Sequence, residues 1–172
     1  MRTFSYIEEK TEDILKESNL LKPNFDVKKL ASQLKIKLIE KTMSDEVSGF
    51  FVMTEGLPVI TYNKLHKPKR QRFTIAHEIG HFILHSKEQP IFIDKVPKVM
   101  FRNSASSSGE ILKEREANSF AASLLMPKAL IEHDIEHLSP IFIEDAISKM
   151  ANDFGVSEQA MSFRLSNLGY GI

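Results

Sequence analysis

The stretch at residues 70–85, RQRFTIAHEIGHFILH, constrains this chain more than any other. It contains His77-Glu78-Ile79-Gly80-His81, two histidines four residues apart with a glutamate directly after the first. On a helix, positions i and i+4 share a face, so both imidazoles can reach one metal ion. A water on that ion would sit beside Glu78, which can accept its proton once the metal has lowered the water's pKa toward neutrality. This is the H-E-x-x-H arrangement of zinc hydrolases. Phe73, Ile75, Ala76, Ile79, Phe82, Ile83 and Leu84 surround the histidines almost all round, so the helix must be buried and its polar groups need partners. Gly80, lacking a Cβ, is expected to let another backbone approach closely.

A catalytic zinc needs a third protein ligand and an open position. The chain has no cysteine, so the ligand must be His, Asp or Glu. A third histidine in the pattern H-E-x-x-H-x-x-G-x-x-H is excluded, because Leu84 stands where the glycine belongs and Lys87 where the histidine belongs. The remaining source is a second helix, read over residues 110–126 as EILKEREANSFAASLLM. Glu114 and Glu116 lie about 200° apart around its axis, so only one can face the metal. Glu114 shares its face with Ala117, Asn118, Ala121 and Leu125, and the small residues among them permit close packing. Glu114 is therefore the expected third ligand, with Asn118 hydrogen-bonded behind a ligand histidine. Glu116 is expected to support the helix or pair with a surface base.

Other candidates are weaker. His85 is rotated about 80° from His77, so it is expected to line the site or bond a carboxylate. Tyr62, His66 and Arg102 are, with His85, the candidates for stabilising an oxyanion. His133 and His137 repeat the four-residue spacing, but Asp134 is a shorter base than glutamate and Glu132 and Glu136 make that helix face solvent. No small-residue helix answers it.

Along the rest of the chain, residues 3–18 read as a helix with Phe4, Ile7, Ile14 and Leu15 inward. A second helix at 25–34 follows, capped by Asn24 or Asp26. Residues 35–41 alternate as a half-buried strand, and 48–54 and 57–63 form a hairpin around Glu55-Gly56. Pro68 suits the first turn of the histidine helix. Residues 86–109 read as a connection in which Pro90 and Pro97 bracket a short apolar segment and 103–109 form a mobile small-polar loop. A helix at 128–138 and two helical segments around Phe154-Gly155-Val156-Ser157 complete the chain, the last pair with a helix-turn-helix outline. The expectation is a mainly helical α+β domain with a small three-stranded sheet and a helical C-terminal cap. Residues 1–127 are read as the metal-binding part and 128–172 as the helical, helix-turn-helix-like part.

Composition narrows the partners. Lys+Arg and Asp+Glu are each 23, so the chain carries no electrostatic footprint for nucleic acid or an anionic membrane. In the C-terminal segment, Lys149 and Arg164 face Asp145, Asp153 and Glu158, so a protein partner is expected over DNA. No apolar run approaches membrane-spanning length and the first residues lack a leader pattern; a cytoplasmic location is expected.

The residues at 70–85, taken with EREANSFAASLLMP at 114–127, resemble the ImmA/IrrE metallopeptidases. The resemblance runs from the hairpin before the histidine helix to the FGVS segment near the end. It implies a zincin-like fold and a gluzincin-like centre: His77, His81 and Glu114 as ligands, and Glu78 as general base. It further implies a cytoplasmic endopeptidase that cuts a partner helix-turn-helix transcriptional repressor. Zinc suits such ligands, and manganese would also be accepted. A metal-binding transcriptional regulator, or a toxin–antitoxin component acting by protein or DNA binding without proteolysis, is the competing expectation.

Overall fold

Short-range signals set most of the elements in the computed structural model, which describes residues 2–87, 91–95, 107–137 and 143–170. Helix α1, Phe4–Glu17, begins where the Thr3 hydroxyl accepts from the Tyr6 N–H at 3.2 Å. Ile7, Thr11, Ile14 and Leu15 form its buried face, whereas Phe4 remains 43% exposed. Helix α2, Val27–Gln33, is capped by Asp26, whose Oδ1 accepts from the N–H groups of Lys28 and Lys29 at 2.8 and 3.1 Å.

Strands β1 (Lys37–Lys41), β2 (Val47–Thr54), β3 (Leu57–Asn63) and β4 (Ile91–Lys95) form one sheet in the order β1-β3-β2-β4. The β2–β3 hairpin turns at Glu55 and Gly56, both with positive φ (52° and 78°), the backbone that a two-residue turn between right-twisted strands requires. Strand β1 runs parallel to β3, and β4 runs antiparallel to β2. The expected α+β class holds, with one strand added: β4 lies in the segment read as a connection. It occupies an edge, where a strand of five residues beginning next to a proline is tolerated. Strand β1, read as half-buried, is mostly exposed at the other edge. Of the loop expected at 103–109, residues 103–106 lie outside the described residues, and residues 107–109 are instead the start of a helix that runs on to Leu125, one turn earlier than the expected start at Glu110.

Helix α3, Pro68–His85, packs on one face of this sheet. Phe51 and Ile60 pair across β2 and β3, both fully buried, and the Phe51 ring meets Phe82 of α3 with centroids 5.7 Å apart. Burying a side chain of this size contributes roughly 1.5–3 kcal/mol. Helix α4, Ser107–Leu125, covers the other side of α3, and α1 packs across α4. Gly80 faces Phe120 of α4, and a Cβ added there would come within 3.1–3.2 Å of that ring and its Cβ. The close approach foreseen at Gly80 is thus to a side chain rather than to a backbone.

Helices α5 (Lys128–Glu136), α6 (Ile143–Asp153) and α7 (Glu158–Asn167) complete the structure. The α6–α7 turn has Gly155 at φ +66° and Ser157 as N-cap, accepting from the Ala160 N–H at 3.2 Å. One hydrophobic cluster joins Ile7, Ile79, Leu124, Phe154 and Leu165, so the C-terminal helices share the core of the sheet and α3. Arg164, 1% exposed, ties α7 to α1 by donating to both carboxylate oxygens of Glu8 at 2.5 and 2.8 Å, while its Nε donates to the Met126 carbonyl at 3.0 Å. Removing one partner of such a buried pair costs about 3–5 kcal/mol, because the other charge is left without compensation.

Candidate metal centre

The centre lies where α3 is most enclosed. Residues 74–81 are buried without interruption, with His77 at 4%, Glu78 at 0% and His81 at 1% exposure. The four-residue spacing brings the two imidazoles together, ring centroids 4.6 Å apart and Nε2 atoms 2.9 Å apart. Glu114 reaches across from α4, placing Oε2 3.2 Å from His77 Nε2 and Oε1 3.2 Å from His81 Nε2. These three side chains form the candidate metal-binding group found among the described residues. Ligands at tetrahedral angles on zinc, with bonds near 2.0–2.1 Å, would be separated by about 3.3 Å. A triangle of 2.9, 3.2 and 3.2 Å matches that spacing with slight contraction.

The donor chemistry agrees. Asn118 Oδ1 lies 3.0 Å from His77 Nδ1, so an Nδ1–H donates to the amide oxygen and holds the ring with Nε2 turned toward Glu114 and His81. Burial opposes the charge on Glu114, but hydrogen bonds from His77 and His81 and their proximity outweigh it, drawing the carboxyl down to about 2. The carboxylate is ionised at neutral pH, as a ligand must be. Its side chain is 42% exposed while both histidines are enclosed, so the centre opens on the Glu114 side.

Glu78 is wholly inside, next to His77 and opposite Gly49 of β2. A Cβ at Gly49 would lie 2.5 Å from Thr74 Cγ2, 2.8 Å from the Thr61 carbonyl and 3.7 Å from Glu78 Oε1. The missing side chain is what lets β2 lie against the glutamate's turn of helix. Gly49 was not singled out from the sequence, where it reads only as a strand glycine.

The other expected residues are placed as follows. Glu116 turns away from the histidines: its Oε1 accepts from the Arg2 backbone N–H at 2.6 Å and its Oε2 from Arg2 Nη1 at 2.9 Å. Burial raises its pKa, but the Arg2 bonds outweigh that and the net shift is downward. His85 joins this second cluster, with Nε2 3.3 Å from the Lys113 carbonyl and Nδ1 3.3 Å from Arg2 Nη1. Burial, reinforced by the neighbouring His81 and Arg2, pushes His85 down to about 4. The neutral ring fits both contacts, with Nε2–H donating and Nδ1 accepting. Tyr62 is buried on β3 with the Lys28 ammonium 5.3 Å from its ring centroid, so its partner is α2. His66, 6% exposed, binds Asp45 through Nε2 at 3.2 Å and stabilises the turn before α3. Arg102 lies outside the described residues. His133 and His137 stack on each other on α5, 4.3 Å between centroids, with most of the His133 side chain in solvent. The role of Arg2 escaped the sequence reading, because a lone arginine before a helix carries no periodic signal.

The sequence profile of the Peptidase_M78 family, described as the IrrE N-terminal-like domain, matches residues 31–166. The chain is 31% identical over 108 residues to the radiation response metalloprotease IrrE of Deinococcus radiodurans, a match covering 63% of this chain and 30% of that protein. It is 29% identical over 98 residues to uncharacterized immunity region protein 2 of Bacillus phage phi105, covering 57% and 56% respectively. A solved Mycobacterium tuberculosis transcriptional regulator shares the fold with a TM-score of 0.67 at 17% identity, over 94% of this chain and 46% of that one. The matched regions thus span between 30% and 56% of the length of these relatives.

Proposed function

The chain belongs to the IrrE N-terminal-like family of metallopeptidases, and on that premise we propose that it is a zinc-dependent endopeptidase whose substrate is a helix-turn-helix transcriptional repressor. His77, His81 and Glu114 would hold the ion, Asn118 orients His77, and Glu78 is the general base. The observation that carries this reading is the convergence of two histidine Nε2 atoms and the Glu114 carboxylate to within 3.2 Å of one another, beside a buried glutamate. Bound there, a divalent ion would supply Lewis acidity for the scissile carbonyl and would lower the pKa of water. Glu78 takes the proton from the attacking water and returns it to the leaving amine. The burial of Glu78 keeps bulk water from competing for that proton. The Asn118 bond keeps His77 in one tautomer throughout. Manganese is the alternative ion for the same ligands.

A repressor as substrate is supported by the likeness to a phage immunity-region protein and by the resemblance stated above. The proposed setting is the cytoplasm, and no helix among the described residues is long and apolar enough to cross a membrane. The competing reading, a regulator acting by binding alone, draws on the helix-turn-helix outline of α6 and α7. Its cations are already engaged: Arg164 binds Glu8 and Lys149 binds Asp153 at 2.7 Å. Neither is free for a phosphate, which favours the peptidase.

The test is Glu78→Gln with a co-expressed candidate repressor. Removing the general base should lower the cleavage rate by roughly 10²–10⁴-fold, with metal content unchanged by elemental analysis. Full cleavage by the metal-loaded variant would sink the assignment.

A further inference from the structure

Beside the centre, α3, α4 and α7 enclose a cleft of about 910 Å³. We propose that this cleft is the recognition groove of the same site, selecting a peptide segment that carries aliphatic side chains flanked by aspartate or glutamate. The proposal rests on the peptidase reading for the identity of its ligand, and on three observations for its chemistry.

The first is position. Phe73 and Asn118 both line the cleft and both neighbour His77: Asn118 bonds its Nδ1 at 3.0 Å, and the Phe73 ring lies roughly parallel to the imidazole with centroids 6.5 Å apart. A chain lying in the groove therefore passes next to a proposed ligand. The second is the apolar lining. Met126, Val156 and Ala160 contribute to the wall, and Phe4 and Phe163 stand at 43% and 63% exposure. Large aromatic surface left in water beside a concavity marks a binding site rather than a solvated face.

The third is charge. Lys67, Lys69, Arg70, Arg115 and Arg164 line the cleft, and among the described residues no aspartate or glutamate does. Arg164 is neutralised by Glu8, and Arg70 stands 3.8 Å from Asp45. Lys69 donates to the neutral Asn152 and keeps its charge. Lys67 and Arg115 have no ion pair among the described residues. In a chain of zero formal net charge, a cationic rim without carboxylates is a local concentration that attracts acidic ligands. An apolar lining with a cationic rim complements an acidic, aliphatic peptide; a nucleic acid would satisfy the rim and leave the aliphatic wall unfilled.

The experiment uses the full chain with Glu78→Gln, so that bound peptides persist. Dye-labelled twelve-residue peptides with one Leu/Val/Ala core and acidic, neutral or basic flanks are titrated by fluorescence anisotropy, beside a labelled single-stranded and a duplex oligonucleotide. The acidic peptide should bind at least tenfold tighter than the basic one, with the ratio shrinking as salt rises. Lys67→Glu with Arg115→Glu should abolish or reverse the preference. Phe163→Asp should weaken the acidic and neutral peptides together without lowering the melting temperature, since Phe163 is exposed. Equal affinity for all flanks, indifference to the charge reversal, or no binding of the acidic peptide at millimolar concentration overturns the proposal. So does tighter binding of either oligonucleotide. Cleavage by the parent chain separates the two readings. If Glu78→Gln cuts as well as the parent, the peptidase assignment falls and charge-selective binding still stands. If Glu78 is essential and all flanks are cut with equal kcat/KM, the assignment stands and the groove proposal falls.

Discussion

Helix α4 presents two glutamates to two histidine clusters, and the clusters differ in the source of their positive charge. On the Glu116 side, a histidine and a carboxylate meet Arg2, which donates to Glu116 from its backbone and its guanidinium. That cluster is complete without an ion. On the Glu114 side, two histidines and a carboxylate converge within hydrogen-bond distance of one another. The ionised Glu114 carboxylate faces an opening there, the position in which we propose a divalent cation is held. The same residue types two positions apart on one helix thus make a clasp and, on the reading proposed above, a ligand set, and the partners supplied by the fold decide which.

The largest effect that would sharpen this contrast comes from exchanging the two glutamates in turn. Glu114→Gln should remove bound metal and, with it, activity, whereas Glu116→Gln should keep stoichiometric metal and lower only the melting temperature. Elemental analysis beside calorimetry reads both, and a metal-free Glu116→Gln would reverse the assignment. Next in size, Asn118→Ala should weaken metal affinity by roughly 10–100-fold, because His77 loses the bond that fixes its tautomer. Competition against a chromogenic chelator measures it, and an unchanged affinity would mean that Asn118 plays no part in orienting the ligand. Arg2→Ala should leave metal in place and destabilise by about 1 kcal/mol, lowering the melting temperature by ~2–4 °C; metal loss there would show that the clasp and the centre are not separable.

The smallest effect is one of pH. His85 is held at about 4 against an ordinary 6.5, so between those values the unfolded chain binds the proton that the folded chain refuses. Its contribution to stability is present above about 6.5 and disappears as the pH falls through 4. Melting temperatures of metal-free protein should therefore decline across that window, and His85→Gln should flatten the decline. An equal slope in the variant would remove His85 from the account.

Much of the centre was legible because both of its signals are local. His77, Glu78 and His81 occupy adjoining turns of α3, and Ala117 and Ala121, wholly buried, mark the side of α4 that approaches it. Helical geometry alone then separates Glu114 from Glu116. What was not legible depends on partners distant in sequence. Strand β4 is five residues beside a proline and becomes a strand because β2 offers an edge. The parallel pairing of β1 with β3 follows from a crossover that residue alternation does not encode. Phe4 fits the helical period of α1 yet ends on the rim of the cleft. The tie between Glu8 and Arg164 spans 156 positions, beyond any periodic pattern.

The contact between Gly80 and Phe120 has a metrological consequence. The histidines proposed as ligands stand on α3 and the carboxylate on α4, so the separation of the two helix axes works as a calliper whose jaws are the three donor atoms. Its stop is the Phe120 side chain, which leaves no room for even a methyl group at Gly80 without displacement by a few tenths of an ångström. That increment is comparable to the difference in radius among divalent ions. Widening at this point, next to His81 but on the side of the helix that meets Phe120, would alter which ion the jaws grip best before it altered whether they grip at all.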